Sequence, residues 1–229
     1  MTIQKSIAVI LILFAGSISA AISGCKSSRT ASAQNLSGAG GSGPLNIDKM
    51  GGAIEVTNAP NGATLHTMGG DIHIGNVGRF ANAKTMGGNI TIDHANASVD
   101  AKTMGGNITV MDATGPVQAT TMAGDVMVRL IDSTSERRDV HLSSNSGTIT
   151  LIVPKDFPMD VQIKLAYTKN ADKTFDIHDN VGLTRHESAD WDTSKGTPRK
   201  YIYAQGRVGS GQNHVEIDTI NGDVVLKQE

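Results

Sequence analysis

The sequence predicts an all-β fold, a single-stranded parallel β-helix (β-solenoid) built from 18-residue coils. A Met-Gly-Gly phrase, which reads Met-Ala-Gly in its last copy, recurs every 18 residues without slippage. A short run of alternating apolar and polar residues precedes each phrase, and a second such run follows it. A fixed period of this size is typical of solenoids, in which each repeat buries its apolar face only against its neighbours. The phrases begin at Met50, Met68, Met86, Met104 and Met122.

Residues 1–24 have the pattern of a lipoprotein signal peptide. A positive start at Lys5 precedes an apolar stretch that is too short to span a membrane, and the Ile-Ser-Gly-Cys sequence that ends at Cys25 resembles a bacterial lipobox. Cys25 is the only cysteine, so it cannot form an intramolecular disulfide bond, and it is the predicted site of lipidation. The alternative is an ordinary signal peptide that is cleaved near Ala20, with Cys25 unmodified.

Acyl chains on Cys25 would tether the protein stably, because each buried CH₂ contributes about 0.8 kcal/mol. We therefore expect an exported protein that a lipid anchors to the cell membrane. Lys26 follows the cysteine in place of an aspartate, which favours the outer membrane over the inner one if the host has both. The formal charge is −2, and it becomes −3 when cleavage removes Lys5, so nothing indicates a nucleic-acid partner.

Residues 25–43 predict a flexible tether, because Ser, Ala, Gly and Asn dominate them. The solenoid domain is predicted over 44–227. Within each coil, one strand before the methionine and one after it turn alternate residues inward, and corners join the two strands. A right-handed coil is expected from the general preference of parallel strand connections. The inward residues of the second strand are Ile54, Val56, Ile72, Ile74, Ile90, Ile92, Ile108, Val110, Val126 and Val128.

Glycines mark the predicted corners, because glycine tolerates the positive φ that a sharp corner requires. The threonine before each methionine has the parity of the inward residues, so we expect its hydroxyl to hydrogen-bond along the stack. The methionines are expected to fill the same corner, where a flexible thioether suits irregular space. The structural corner glycines are Gly52, Gly70, Gly88, Gly106, Gly124, Gly147 and Gly222.

A column of Asp and Asn residues follows the glycines, and we expect its side chains to stabilise each corner through local backbone hydrogen bonds. A calcium ladder is the alternative, and it is the weaker one because neutral Asn residues separate the carboxylates. We assign no metal ligand and no cofactor, and we interpret His94 and His178 as surface residues. The column consists of Asp71, Asn89, Asn107, Asp125 and Asp223.

The same columns return after an insertion, at 140–151, with the extra residues assigned to a loop over 132–138. They return again at 215–226, which predicts one continuous domain. Between them, strands are predicted at 159–165 and 201–203, and a polar excursion at about 168–199 is either a cap or flap on the solenoid or a binding site.

Outward positions of the first strand carry a polar column, where we expect a solvated face with ion pairs between neighbouring coils; Asp100 should lie near Lys84 and Lys102. A β-helix carbohydrate-active enzyme would gather acidic, basic and histidine side chains in one groove. No paired carboxylates stand out in a plausible pocket, so no catalytic residue is assigned and the protein is predicted not to be an enzyme. The column consists of Asn82, Asp100, Gln118, His141 and Glu216.

The repeated unit Gly-(Asp/Asn)-(Ile/Val)-x-(Ile/Val) occurs at 70–74, 88–92, 106–110 and 124–128 and closes the last coil at 222–226. It resembles the hallmark of the bacterial putative-adhesin domain family, a β-solenoid domain of unknown function, here in a lipoprotein form. The resemblance spans about 45–227 and implies an exported, surface-associated, non-enzymatic solenoid. The excursion at 168–199 departs from the family pattern.

The sequence therefore predicts a non-enzymatic, lipid-anchored protein of the bacterial cell envelope, an adhesin or a surface scaffold. Its partners would be the membrane, through the lipid, and a glycan or another envelope protein. An accessory module in envelope-stress signalling is the first alternative, and a β-helix carbohydrate-active enzyme is the second.

Overall fold

The computed structural model describes residues 43–131, 137–171, 173–194 and 196–229, together with the backbone of 35–37. The predicted signal peptide, Cys25 and residues 132–136 of the predicted loop lie outside the described residues. Within the described ranges the regular secondary structure consists of β-strands. No helix in this part of the chain is long and apolar enough to cross a membrane.

The strands form two sheets. In spatial order, the first sheet contains β1 (Asn35–Ser37), β3 (Ile54–Ala59), β5 (Ile72–Val77), β7 (Ile90–Ala95), β9 (Ile108–Ala113), β11 (Val126–Leu130), β13 (Ile149–Val153), β19 (Val224–Gln228) and β15 (Ile177–Asp179). The second contains β16 (Thr184–Glu187), β17 (Arg199–Val208), β14 (Met159–Thr168), β18 (Asn213–Ile220), β12 (Val140–Ser144), β10 (Val117–Thr121), β8 (Ser98–Lys102), β6 (Phe80–Lys84), β4 (Ala63–Thr67) and β2 (Leu45–Lys49).

Neighbouring strands of the repeat are parallel and have the register that the 18-residue period predicts. Ile90 pairs with Ile72 on one side and with Ile108 on the other, and all three side chains are buried. In the second sheet Ala81 pairs with Val99 in the same way. One strand from each sheet makes one coil, which confirms the parallel β-solenoid. Each buried Ile or Val contributes roughly 1.5–3 kcal/mol of hydrophobic stabilisation.

The predicted register also holds beyond the insertion and in the last coil. Val140 pairs with Val117 across the insertion. Val140 pairs on its other side with Val215, and Ile149 pairs with Val224. The columns at 140–151 and 215–226 are therefore parts of the same stack.

The order of the coils in space differs from their order along the chain at one place. Strands β18 and β19 lie between β12/β13 on one side and β14/β15 on the other. The chain first forms β14 and β15 one coil farther out, and it then returns to fill the space between. Repeat pattern alone predicts the type of the last coil but not this position.

The excursion at 168–199 completes the outer end of the solenoid. It supplies β15, whose Ile177 pairs with Val224, and β16, which pairs antiparallel with β17. Strand β17 in turn runs antiparallel to β14 over its whole length. Strand β16 lies at the edge of the sheet, and all four of its residues are exposed. Because it is so short, it is a poor template for pairing with another molecule. The excursion thus acts as a cap.

Strand β1 lies inside the segment predicted as a flexible tether. It pairs in parallel with β3, so the sheet begins before residue 44, where the sequence places the boundary. Residues 35–37 pair with backbone groups at the edge of β3 that would otherwise be free. Residues 38–42, between β1 and β2, are outside the described part of the chain.

Close stacking, more than backbone angle, requires glycine at the predicted corners. A positive φ, the reason expected from the sequence, occurs at Gly52, where φ is 85°, and at Gly124 and Gly147. Steric crowding acts at every corner except Gly52, including the two last named: an added Cβ atom would collide with the carbonyl oxygen of a glycine in the adjacent coil. That distance would be between 1.8 and 2.3 Å at Gly70, Gly88, Gly106, Gly124, Gly147 and Gly222.

A column of hydroxyl groups ties each corner to the next. The buried Thr103 donates its Oγ1 hydrogen to the carbonyl oxygen of Gly88 at 2.9 Å, and it accepts the N–H of Gly106 at 3.2 Å. The hydroxyls thus bond to glycine backbone groups, which would otherwise be unsatisfied in the core. The same donation to a glycine carbonyl is made by Thr67, Thr85, Thr121, Ser144 and Thr219.

The Asp and Asn column links coils and does not stabilise corners locally. Asn89 Oδ1 accepts the backbone N–H of Asn107 at 2.8 Å, and Asn107 Oδ1 accepts that of Asp125 at 2.8 Å. Asp71 and Asp125 make the same contact to the next coil. The local hydrogen bonds expected here are therefore replaced by bonds between coils, because equivalent residues stack directly above one another.

The expectation that the methionines fill the corner is wrong. They face solvent, with 45–50% of the residue exposed at Met68, Met86, Met104 and Met122, and 85% at Met50. The adjacent threonine is buried, and alternation along a strand then turns the next residue outward.

Candidate functional site

Aromatic side chains are concentrated at the capped end of the solenoid. The chain has one Trp, three Tyr and four Phe. The Trp, all three Tyr and one Phe lie between residues 167 and 203, whereas the coils built on the Met phrases have a core of Ile, Val, Leu and Ala. These aromatic residues are Tyr167, Phe175, Trp191, Tyr201 and Tyr203.

Some of these rings surround a cavity of about 470 Å³, which we call the terminal pocket. Tyr167 lies near the end of β14, and Glu187 is the last residue of β16. The volume is within the range of small-molecule sites, which combine apolar walls with a few polar groups. The walls include Tyr167, Phe175, Trp191, Lys169, Lys173 and Glu187.

The rings of the terminal pocket are fixed by contacts with one another and with lysines. Tyr167 and Trp191 meet edge to face, with 5.7 Å between ring centroids and 81° between planes. Lys200 Nζ lies 5.6 Å from the centre of the Trp191 ring, and Lys173 Nζ lies 5.0 Å from that of Phe175. Edge-to-face packing and cation–π contacts both favour a defined ring orientation.

Glu187 gives the pocket a fixed hydrogen-bond acceptor. The hydroxyl of Tyr167 donates to Glu187 Oε1, and this hydrogen bond raises the pKa of Tyr167 to about 12. The phenol therefore stays protonated at neutral pH. The other carboxylate oxygen of Glu187 is available as an acceptor for a ligand hydroxyl.

Trp191 is held beside β17 by its neighbour Asp192. The backbone N–H of Asp192 donates to the carbonyl of Arg199 at 2.8 Å, and Arg199 returns the bond at 2.9 Å. The hydroxyl of Tyr201 donates to Asp192 Oδ2 at 3.0 Å. Burial, followed by this contact with Asp192, raises the pKa of Tyr201. Trp191 is thus attached to the sheet on its C-terminal side.

Asp179 anchors the turn that leads into β16. Its Oδ1 accepts the backbone N–H groups of Gly182 at 2.7 Å and Leu183 at 3.1 Å, and its Oδ2 accepts from Arg185 at 2.5 Å. Burial acts to raise the pKa of Asp179, but Arg185 and the two N–H groups outweigh it and hold that pKa below its usual value. This side chain positions the strand that carries Glu187.

The outward polar column of the sequence forms a second surface, on the second sheet. Its members pair in register from Asn82 to Glu216 and line a groove of about 420 Å³. Asp100 pairs within its own strand, with Lys102 Nζ 3.1 Å from Asp100 Oδ1. A contact between neighbouring coils, as expected, occurs at His141, whose Nδ1 lies 3.1 Å from Glu216 Oε2. Asp100, His141 and Glu216 therefore each have a partner on this face.

Asp139, one of the carboxylates of this groove, has the properties of a structural acceptor. Asp139 accepts from Arg137 Nε at 2.9 Å and from the backbone N–H of His214 at 2.9 Å. The hydrogen bond from Arg137, with the smaller effect of the His214 N–H, lowers the pKa of Asp139 although burial opposes them. An ionised carboxylate cannot donate the proton that a general acid must supply.

The histidines contact carboxylates of neighbouring coils. His94 Nδ1 lies 3.0 Å from Asp112 Oδ2, and His73 Nε2 lies 2.9 Å from Asp93 Oδ2. Among the described residues, no group of three or more His, Cys, Asp and Glu side chains is arranged to hold a metal ion.

Comparison with protein families agrees with this architecture. The family model described as Toastrack DUF4097 matches residues 16–227. The chain belongs to this family. The match confirms the resemblance to a putative-adhesin-like domain family of unknown function.

Solved structures and curated proteins add little about this Toastrack chain. The crystal structure of a putative cell adhesion protein from Clostridium sporogenes is similar at 16% identity and a TM-score of 0.33. The alignment covers 64% of this chain and 56% of the Clostridium chain. Similarity at this level supports no conclusion about structure or function. A comparison with curated proteins gave no match.

The sequence retains the excursion at 168–199 as a candidate binding site, but it singles out no residue of the terminal pocket of this Toastrack domain. The pocket has no repeat and no spacing rule, because its walls come from three separate strands and the segments between them. The available signal was the local excess of aromatic residues in a chain that is only 3% aromatic.

Proposed function

We propose that the protein is a non-enzymatic adhesin or surface scaffold of the cell envelope and that its terminal pocket binds a glycan. The observation that carries the proposal is the grouping of Tyr167, Phe175 and Trp191 around one cavity at the capped end of the solenoid. Membership of the Toastrack family is consistent with a surface role.

The chemistry of the pocket suits a sugar ring. The flat faces of Trp191 and Tyr167 can pack against the C–H groups of a pyranose, and this burial requires no charge on the ligand. Glu187 supplies an acceptor for sugar hydroxyls, and Lys169 and Lys173 supply donors. The lysines also favour a sugar that carries a carboxylate or another anionic group.

The order of strands agrees with this role. Strands β1 and β2 lie at one end of the two sheets, and β15 and β16 lie at the other. We propose that lipid on Cys25 attaches the N-terminal side to the membrane, on the outer membrane if the host has two. The terminal pocket then belongs to the end of the solenoid farther along the stack from the anchored side.

Glycan binding can be tested with the full chain on an array of cell-surface polysaccharides, with Trp191→Ala and Phe80→Ala as the paired variants. Phe80 is the matched control because it lines the second-sheet groove and not the terminal pocket. We expect wild type and Phe80→Ala to retain the same glycan, and Trp191→Ala to bind it at least about tenfold more weakly, equivalent to about 1.4 kcal/mol. Thermal unfolding of each variant verifies the fold.

Three results would contradict the proposal. Loss of binding in Phe80→Ala alone would assign the ligand to the second-sheet groove. Release of reducing ends from the bound glycan would indicate an enzyme. Absence of retention on every glycan would favour a protein partner, as in envelope-stress signalling.

A further inference from the structure

Five methionines form a continuous column on the outer surface of one corner. This methionine ladder consists of Met50, Met68, Met86, Met104 and Met122, one in each successive coil. The coils are fixed at this corner, since the backbone N–H of Ala123 donates to the carbonyl of Met104 at 3.1 Å. All five side chains are exposed.

The identity of these residues is not explained by the core. An outward column two residues before the methionines changes residue type freely: Asp48, His66, Lys84, Lys102 and Thr120. An exposed position that only needed solubility would vary in the same way. The methionine column keeps one residue type in all five copies, although it turns an apolar side chain to water.

The surface beside the ladder is bare. Gly51, Gly69 and Gly87 directly follow its methionines, and no atom lies within 4 Å of the place where a Cβ would be. These glycines lack a positive φ, so neither space nor backbone angle requires them. Glycine at such a place allows close approach of a ligand to the backbone.

The geometry of a parallel stack brings thioethers of adjacent coils together. Equivalent residues of neighbouring strands are about 4.8 Å apart, and methionine has three rotatable side-chain bonds with which to adjust. Two or three adjacent sulfur atoms can therefore converge on one ion. Thioethers are soft, uncharged ligands that select Cu(I) over hard or borderline cations.

We propose that the methionine ladder is a binding site for a soft monovalent cation, Cu(I) or its chemical analogue Ag(I), held between the thioethers of neighbouring coils. Met68, Met86, Met104 and Met122 are equally exposed, so they form the principal site. The site lies at a corner between the two sheets and is independent of glycan binding by the terminal pocket.

Titration with Ag(I) in chloride-free buffer tests this site, because silver needs no reductant. The full chain carries Cys25→Ser in every sample, so that its lone thiol does not bind the metal. The ladder variant adds Met68→Leu, Met86→Leu and Met104→Leu, and the control adds Met111→Leu and Met127→Leu, two methionines outside the ladder. Leucine conserves volume, so both variants should unfold near the parent temperature.

We expect the parent and the control to bind at least one Ag(I) per chain by calorimetry and native mass spectrometry, and the ladder variant to bind at least about tenfold more weakly. Equal affinity in the ladder variant and the control would overturn the proposal. Absence of Ag(I) binding by the parent would also overturn it.

Discussion

A Cβ atom on Gly88 would lie 2.0 Å from the carbonyl oxygen of Gly70, closer than any real contact of this kind. The same carbonyl accepts the Oγ1 hydrogen of Thr85 at 2.9 Å. The corner therefore brings two coils so close that a side chain cannot enter between them, and a hydroxyl group holds them there.

Replacing Gly88 by alanine should destabilise the solenoid, whereas replacing its neighbour Gly87 should not. Alanine at 88 forces two backbone segments apart, and such overpacking costs about 1–3 kcal/mol or more. The Cβ of alanine at 87 has open space around it. Because alanine lowers the entropy of the unfolded chain, this variant can be more stable than wild type by about 0.4–1 kcal/mol. Denaturant unfolding of both variants measures the difference. Equal stability would show that the coils can separate at this corner without cost.

Removing the hydroxyl of Thr103 should lower the free energy of unfolding more than removing an exposed hydroxyl. Thr103→Val preserves shape but leaves the Gly88 carbonyl and the Gly106 N–H without this partner, a loss of about 1–3 kcal/mol. Thr109→Val, on an outward position of β9, should change the free energy of unfolding by no more than about 0.5 kcal/mol. Chemical denaturation compares the two. A similar small effect for both would mean that water or backbone movement satisfies the freed groups.

A charge in the core should unfold the stack. Ile90 is fully buried between Ile72 and Ile108, so Ile90→Asp places a carboxylate where no partner is available. Thr91→Asp, one residue later on the outward face, is the matched control and should fold. Circular dichroism during heating distinguishes them. An unchanged melting curve for Ile90→Asp would refute the inward assignment of this column.

Acid should weaken the cap through Asp179. The folded-state pKa of Asp179 is lowered, so its contribution to stability is present above the unfolded value of about 3.9 and is lost as pH falls through the folded pKa. Asp179→Asn should therefore be less stable than wild type at pH 7, and the difference should shrink in acid as the folded-state carboxyl of Asp179 becomes protonated. Denaturant unfolding from pH 7 into acid measures it, with Asp190→Asn, an exposed carboxylate of the same excursion, as control. A difference that is independent of pH would exclude the ionic contribution.

Periodicity predicted the features that depend on equivalent residues stacking in neighbouring coils. The pairing of Ile72, Ile90 and Ile108, the inward threonines and the return of the columns at 140–151 and 215–226 all follow from spacing alone. The outward direction of the methionine side chains was also predictable, because alternation after the buried threonine turns the next residue outward.

Other features depend on distances in space that the spacing of residues in the sequence does not reveal. The need for glycine at Gly88 comes from a carbonyl oxygen in the adjacent coil, which is 18 residues away in sequence. The terminal pocket joins Tyr167, Glu187 and Trp191 from separate strands and segments. The position of β18 and β19 depends on which edge was still free, and residue pattern does not encode that choice.

The insertion of β18 and β19 between earlier strands means that folding cannot proceed strictly from the N-terminus. Residues 213–228 must be available before β14 and β15 can join the rest of the stack. Until then, β14, β17 and β16 can pair only among themselves, and the edges of β12 and β13 remain open. A chain that ends near residue 210 would leave the edges of β12 and β13 unpaired, and open sheet edges favour aggregation.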